Sequence, residues 1–193
     1  MNLYEENKIL KLTKFDVAER QLFQAIKMFF NNEDEVSIHT LTEASAQIFK
    51  DIGKPLGIKS MIRDSGLIRP ERKKEWLKAM SSSKNFFKHA DKDPDDIHEF
   101  KSMFNDFSIL DAVNIYGLLK KRRTPETLIF YCWFALAYPD LVKESTDLDE
   151  FIHRVNSRSD SPDPNDKHWF GDVIHKLRSG EFNLPNVVLT NGL

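Results

Sequence analysis

Apolar residues recur every three to four positions along most of the chain, which is the period of an amphipathic α-helix. The clearest run covers residues 14–30. Its inward face consists of Val17, Leu22, Ile26, Phe29 and Phe30. Thr13 precedes this run and Asp16 follows three residues later, a spacing typical of a capping box that satisfies free N–H groups at a helix start. The pattern predicts a first helix over residues 14–30.

Polar and turn-forming segments divide the rest of the chain into further helices. A second helix is predicted from Ser37 to Gly53, where a glycine ends it. Residues 53–69 carry three glycines and a proline and are predicted to form a loop with at most one short turn. The later helices are predicted to begin at Pro70, at Asp93-Pro94, near Ser108, at Thr124, at residue 146 and at residue 167.

The predicted fourth helix rests on a local start signal. An acidic residue followed by proline, as in Asp93-Pro94, is common in the first turn of a helix. The apolar residues that follow this signal at helical spacing are Ile97, Phe100 and Phe104. We therefore expect all three to face the core.

The pattern as a whole predicts an all-α protein, a single bundle of six to eight helices. No alternating strand-like run of useful length appears before the C-terminus, where residues 181–193 fit either a short strand or a packed tail. A chain of 193 residues fits one domain. We expect a core over residues 14–155, with the C-terminal helix and tail, residues 166–193, packed on it after the polar loop 157–166.

The balance of charged residues and the single cysteine reduce the number of function classes that fit this chain. The 28 Lys and Arg nearly balance 30 Asp and Glu, so nucleic-acid binding would need a local basic patch. The two candidate patches are residues 69–74 and 120–123. Cys132 is the only cysteine and lies in an apolar run, which makes it a poor nucleophile and excludes a disulfide within the chain. The absence of a signal-like start or a long apolar stretch indicates a cytoplasmic protein without a membrane partner.

Five segments carry a resemblance to known proteins. They are AERQLFQAIKMFF (18–30), VSIHTLTEA (36–44), LIRPERKKEW (67–76), NFFKHADKDPDD (85–96) and ILDAVNIY (109–116). In this order they resemble a widespread family of bacterial proteins, over roughly residues 15–141. The resemblance implies a helical fold and a bacterial type of origin, and it implies no activity.

The segment KNFFKH (84–89) is also similar to the R-x(4–6)-H motif of HEPN-domain proteins, helical bundles that include metal-independent ribonucleases. Lys84 stands where that motif has arginine. The similarity implies that His89 acts as acid and base, that Lys84 stabilises charge on phosphate and that Asn85 orients either partner. Binding roles are then predicted for nearby polar residues: Lys88, Asp91, Asp93 and His39. The implied partner is RNA or a nucleotide, and the similarity also implies a homodimer.

A structural interpretation of the same segment stays open. Phe86 and Phe87 would anchor a helix end, and Lys88 and His89 would complement the negative end of its dipole. On this interpretation the protein is a non-catalytic interaction module or homodimer. His39 is predicted to be either a hydrogen-bonded core histidine or a polar group that faces the segment, with the first favoured.

No metal or other cofactor is predicted from the sequence. Alternating aspartates after Asp91 lack the Gly and Glu that a calcium-binding EF loop requires at its sixth and twelfth positions. The helical triplet His168, Asp172 and His175 has the spacing of zinc ligands, but it is expected to face water and no cysteine is near.

Overall fold

The computed structural model describes residues 9–64, 69–91, 94–141 and 162–182. Within these ranges the chain forms six α-helices and no β-strand. The helices are α1 (Lys14–Phe30), α2 (Glu35–Gly53), α3 (Pro70–Phe86), α4 (Phe104–Lys120), α5 (Pro125–Ala137) and α6 (Lys167–Ser179). Short 3₁₀ turns follow α2 at Lys54–Leu56 and α5 at Pro139–Leu141. The predicted all-α bundle is confirmed.

Hydrogen bonds from capping side chains determine where the first two helices begin. The Thr13 hydroxyl accepts the Asp16 N–H at 3.1 Å and the Asp16 carboxylate accepts the Thr13 N–H at 2.8 Å, so the predicted capping box is confirmed. The second helix begins earlier than Ser37. Asp34 accepts the Ser37 N–H at 2.7 Å, and this cap starts α2 at Glu35.

The core lies between α1, α2, α4 and α5. The α1 helix packs on α2, and α2 packs on α4, while α6 contacts α1 and α5. The largest fully buried side chains are mostly aromatic: Tyr116, Phe29, Phe30, Phe49, Phe130 and Phe170. Most residues of α5 are buried, as its uniformly apolar sequence predicts. Each buried phenylalanine contributes about 1.5–3 kcal/mol through the area it removes from water.

The predicted helix that begins at Asp93-Pro94 is wrong. Residues 94–103 form turns and irregular backbone, and Ile97 is 96% exposed. Phe100 is half-buried, but it reaches its contacts from a loop, with its ring 5.2 Å from that of Phe87. The next helix, α4, begins at Phe104, four residues before the predicted start, after turn bonds such as Phe104 N–H to Lys101 carbonyl at 3.0 Å.

Several other predictions fall partly or wholly outside the described residues. The short helix predicted over residues 146–155, the tail after residue 182 and Asp93 itself lie there. The described end of the polar loop, residues 162–166, forms turns that lead into α6. The helix ends at Gly180, which adopts the left-handed conformation.

The third helix is the least anchored of the six. Among the described helices α3 contacts only α2, and its buried residues are Met80 and Ser83. A loop supplies further support, since the Trp76 indole N–H donates to the Ile62 carbonyl at 3.0 Å. In the described ranges no helix combines the length and apolarity that crossing a bilayer requires.

Candidate functional site

The end of α3 turns sharply and carries the motif residues into solvent. The Phe87 N–H donates to the Ser83 carbonyl at 2.9 Å and closes the last helical turn. The Asn85 carbonyl then accepts two N–H groups, from Lys88 at 3.2 Å and from His89 at 3.1 Å. The side chains of Asn85, Lys88 and His89 are all exposed.

An open groove of about 690 Å³ runs beside this helix end. Its polar and aromatic lining includes Asn85, Phe86, His89, Asp91, Asp96 and His98. The structure therefore brings together three of the predicted site residues, Asn85, His89 and Asp91. It adds two groups from the loop that replaces the predicted fourth helix, a carboxylate and a second imidazole.

The second imidazole, that of His98, is held in place by α3. Its Nε2 lies 2.8 Å from the Ser83 hydroxyl, and its ring stacks on Phe86 with centroids 5.0 Å apart and planes 26° apart. These two contacts fix the orientation of the His98 ring relative to the groove. Sequence reasoning did not assign a catalytic or binding role to His98, although it lies nine residues after His89 in the same polar segment.

The two lysines of the motif have different surroundings. The Lys84 ammonium donates to the Gln47 side-chain oxygen of α2 at 3.0 Å, and Lys84 is not among the residues that line the groove. Burial lowers the pKa of Lys84, against the opposing effect of Glu43. Lys88 does not line the groove either, but it is exposed and makes no ion pair with any other described residue. Its neighbour in sequence is His89.

His39 is buried beneath the helix end. Only 2% of it is exposed, and its ring contacts Phe87 at 5.6 Å and Phe100 at 5.0 Å between centroids. Burial lowers the pKa of His39, outweighing the opposing effect of Glu43. It is thus a hydrogen-bonded core histidine that also touches the segment, and as a neutral ring it supports the two phenylalanines.

A buried polar cluster lies farther along α2 and was missed from sequence. Arg63 in the loop before α3 pairs with Glu43 at 2.6 Å, and Glu43 also accepts the Ser108 hydroxyl at 3.0 Å. Asp111 accepts the Ser60 hydroxyl at 2.6 Å and lies 4.0 Å from Arg63. Burial raises the pKa of Asp111, although Ser60 and Arg63 oppose the shift. The cluster ties the loop to α2 and α4.

The sequence contained a signal for this cluster. On the helix faces that meet, polar residues recur at helical spacing: Glu35, His39 and Glu43 on α2, and Asn105, Ser108 and Asp111 on α4. Polar residues every three or four positions normally mark a solvated face. Here the two polar stripes face each other.

The groove offers acid–base chemistry from one exposed and one partly buried imidazole, and a weak basis for metal binding. Across the described parts of the chain, no three His, Cys, Asp or Glu side chains gather closely enough to hold a metal ion. The thiol of Cys132 is buried, and burial raises its pKa to about 12, so it stays protonated and unreactive. Imidazole, by contrast, changes protonation near neutral pH.

No protein-family model, no curated protein and no solved structure matches this chain. The resemblances to the bacterial family and to HEPN domains therefore stay predictions, and the function must be argued from the groove.

Proposed function

We propose that this protein binds RNA in the groove beside the end of α3 and cleaves it without a metal ion. The observation that carries the proposal is that Asn85 and the exposed His89 line one groove together with His98, which Ser83 and Phe86 hold in place. Two imidazoles and an amide at one surface are a sufficient set of groups for acid–base cleavage of a phosphodiester. The proposal keeps the HEPN-like character expected from the motif.

The proposed step is an internal transesterification. His89 removes the proton of a ribose 2′-hydroxyl, and the resulting oxygen attacks the adjacent phosphorus. The bond from phosphorus to the 5′-oxygen breaks, and His98 as imidazolium gives its proton to that leaving oxygen. The products are a 2′,3′-cyclic phosphate and a free 5′-hydroxyl, and no metal or redox partner is needed.

Cations and amides complete the proposed machinery. Charge that collects on the phosphate oxygens needs a positive neighbour. The exposed Lys88 is next to His89 in sequence, whereas Lys84 must first leave its bond to Gln47 before it can approach a phosphate. We therefore assign the larger electrostatic role to Lys88 and the smaller one to Lys84. The Asn85 amide orients the substrate by hydrogen bonds.

The carboxylates of the groove suggest where the nucleobase of the RNA lies. Asp91 and Asp96 repel phosphate, so the backbone of the RNA belongs on the side of His89 and Lys88. Carboxylates accept hydrogen bonds from the amino groups of bases, and partly exposed aromatic rings stack with them. Phe86 and His98 form such a stack already. The groove is thus suited to an unpaired nucleotide rather than a duplex.

Cleavage of labelled single-stranded RNA in EDTA tests the proposal. We expect the wild-type protein to produce cyclic-phosphate ends and His89→Ala to lose about 10²–10⁴-fold in rate, the range that general acid–base catalysis supplies. His175→Ala serves as the matched control, because His175 is an exposed histidine on α6. Equal rates for wild type and His89→Ala, or activity that EDTA abolishes, would contradict the proposal.

A second candidate function is a non-catalytic interaction module, including a homodimer. One observation favours it: Ile97 lines the groove and is 96% exposed, and burial of this aliphatic side chain against a partner would remove its apolar area from water. Sedimentation of the wild-type protein and of Ile97→Glu tests for self-association. A dimer that the substitution dissociates supports this candidate, and monomers in both samples exclude the homodimer.

A further inference from the structure

A second groove, of about 470 Å³, lies along the C-terminal half of α4. Its floor is aliphatic and is formed by Met61, Val113 and Leu118, of which Met61 and Leu118 are 57% and 55% exposed. Its end is cationic and is formed by Lys121, Arg122 and Arg123. This groove shares no lining residue with the groove at the end of α3.

The positive charge of the groove is not neutralised within the described chain. No carboxylate lines it, and neither Lys121 nor Arg122 forms an ion pair with a described residue. Arg123 stacks over the Tyr131 ring at 4.7 Å and so has a fixed position. Cations at a helix end also offset the helix dipole, which accounts for part of this charge.

Two further features point to a ligand. Asn114 lines the groove, and its side-chain amide nitrogen is buried without a hydrogen-bond partner. A buried donor without an acceptor is costly, and rotation of this side chain toward the groove would let a bound carbonyl or carboxylate remove that cost. Gly117 lies inside α4, where a side chain would meet nothing within 4 Å. Glycine weakens a helix interior, so its presence here favours room for a neighbouring molecule rather than packing within the chain.

We propose that this second groove binds an acidic peptide segment of a partner protein, with aliphatic side chains on the floor and carboxylates on Lys121 and Arg122. Complementary charge selects an acidic occupant, and the exposed aliphatic floor selects one that carries leucine-like side chains. The Asn114 amide, once rotated toward the groove, would donate to the peptide. RNA is disfavoured, because no aromatic ring lines the groove to stack with bases.

Fluorescence anisotropy with a short labelled peptide, in which Glu and Leu share one helical face, tests the proposal. We expect the wild-type protein to bind it and the double variant Lys121→Glu/Arg122→Glu to lose about tenfold or more in affinity. Lys74→Glu/Lys78→Glu is the matched control, since it changes the net charge equally on the exposed face of α3. The control is expected to bind like the wild type.

Gly117→Leu provides a second variant that does not alter charge. Leucine favours helix, so the fold is expected to persist while the side chain fills the groove and weakens peptide binding to a similar extent. Cleavage of RNA should be unchanged in this variant, which separates the two proposals. Equal losses in the control pair, unaltered binding by Gly117→Leu, tight binding of a peptide with Gln in place of Glu, or tighter binding of an RNA oligonucleotide would overturn the proposal.

Discussion

His39 of α2 and Asn105 of α4 are joined by a buried hydrogen bond of 3.0 Å between Nδ1 and Oδ1. Two bonds from the Asn105 amide nitrogen to Glu35, at 2.6 and 3.1 Å, fix the orientation of that amide and leave its oxygen for His39. The histidine must therefore carry its proton on Nδ1. Its Nε2 is buried without a partner, so a second proton there would be a buried donor without an acceptor, on a ring packed against Phe87 and Phe100.

This arrangement predicts that the protein loses stability in mild acid. Burial lowers the pKa of His39 below 6.5, so between 6.5 and its folded-state pKa the unfolded chain binds more protons than the folded one. The free energy of unfolding should then fall with decreasing pH, by at most about 1.4 kcal/mol per pH unit from this residue. Urea titrations of wild type and His39→Gln between neutrality and mild acid measure this change in the free energy of unfolding. If the two proteins respond equally to pH, His39 is not responsible.

The ion pair between Arg63 and Glu43 should be sensitive to loss of one partner. Arg63→Met leaves the Glu43 carboxylate, 1% exposed, without its counter-charge, and we expect a loss of about 3–5 kcal/mol in the free energy of unfolding. Arg72→Met is the matched control, because the pair of Arg72 with Glu75 is 72% exposed on both sides. Chemical denaturation of the two variants measures the free energy of unfolding that each one loses.

The double variant Arg63→Met/Glu43→Gln extends this test. With the charge removed as well as its partner, much of the lost stability should return, because the penalty comes from an unpaired buried carboxylate. A double variant that is no more stable than Arg63→Met alone would show that the loss arises from packing instead.

One aromatic stack contributes to the docking of α6 on the core. Phe170 is 1% exposed, and its ring lies 5.7 Å from that of Phe30 with planes 17° apart. Phe170→Ala should reduce the free energy of unfolding by about 3–5 kcal/mol through the cavity it leaves. The neighbouring Trp169, 40% exposed, gives the control substitution Trp169→Ala. Similar losses for the two variants in thermal unfolding would contradict this packing.

The thiol of Cys132 should be inert while the protein is folded. Its pKa is raised to about 12 by burial, and only 4% of the residue is exposed. We expect a thiol reagent to label the denatured chain at mildly alkaline pH and the native chain only at the rate of unfolding. Fast labelling of native protein, with the helical circular dichroism signal intact, would show that the Cys132 thiol on α5 is accessible to solvent in the folded protein.

Local signals in the sequence were sufficient for most helices. Thr13, Pro70, Thr124 and Gly180 mark boundaries through caps and fixed dihedral angles, and these act within a few residues of themselves. The fourth predicted helix had equally good local signals and is absent. There, Phe100 packs against the rings of Phe87 and His39 from a loop.

The candidate site likewise combines residues that a local motif predicts with contacts that no local motif predicts. Asn85, His89 and Asp91 were predicted from a continuous motif and line one groove. The contact of Lys84 with Gln47 and the pairing of Glu43 with Arg63 join residues 37 and 20 positions apart. No local pattern specifies such pairs, because they depend on how α2 meets α3 and the loop between them.

The weak anchoring of α3 has a consequence for motion. A helix that contacts one other described helix and buries only Met80 and Ser83 should detach in a sub-global opening that leaves the other five helices intact. Amide protons of α3 should then exchange with deuterium well before those of α1 and α5. Since Asn85 lies in α3 and His89 follows three residues after its end, substrate entry and this local opening would be one event.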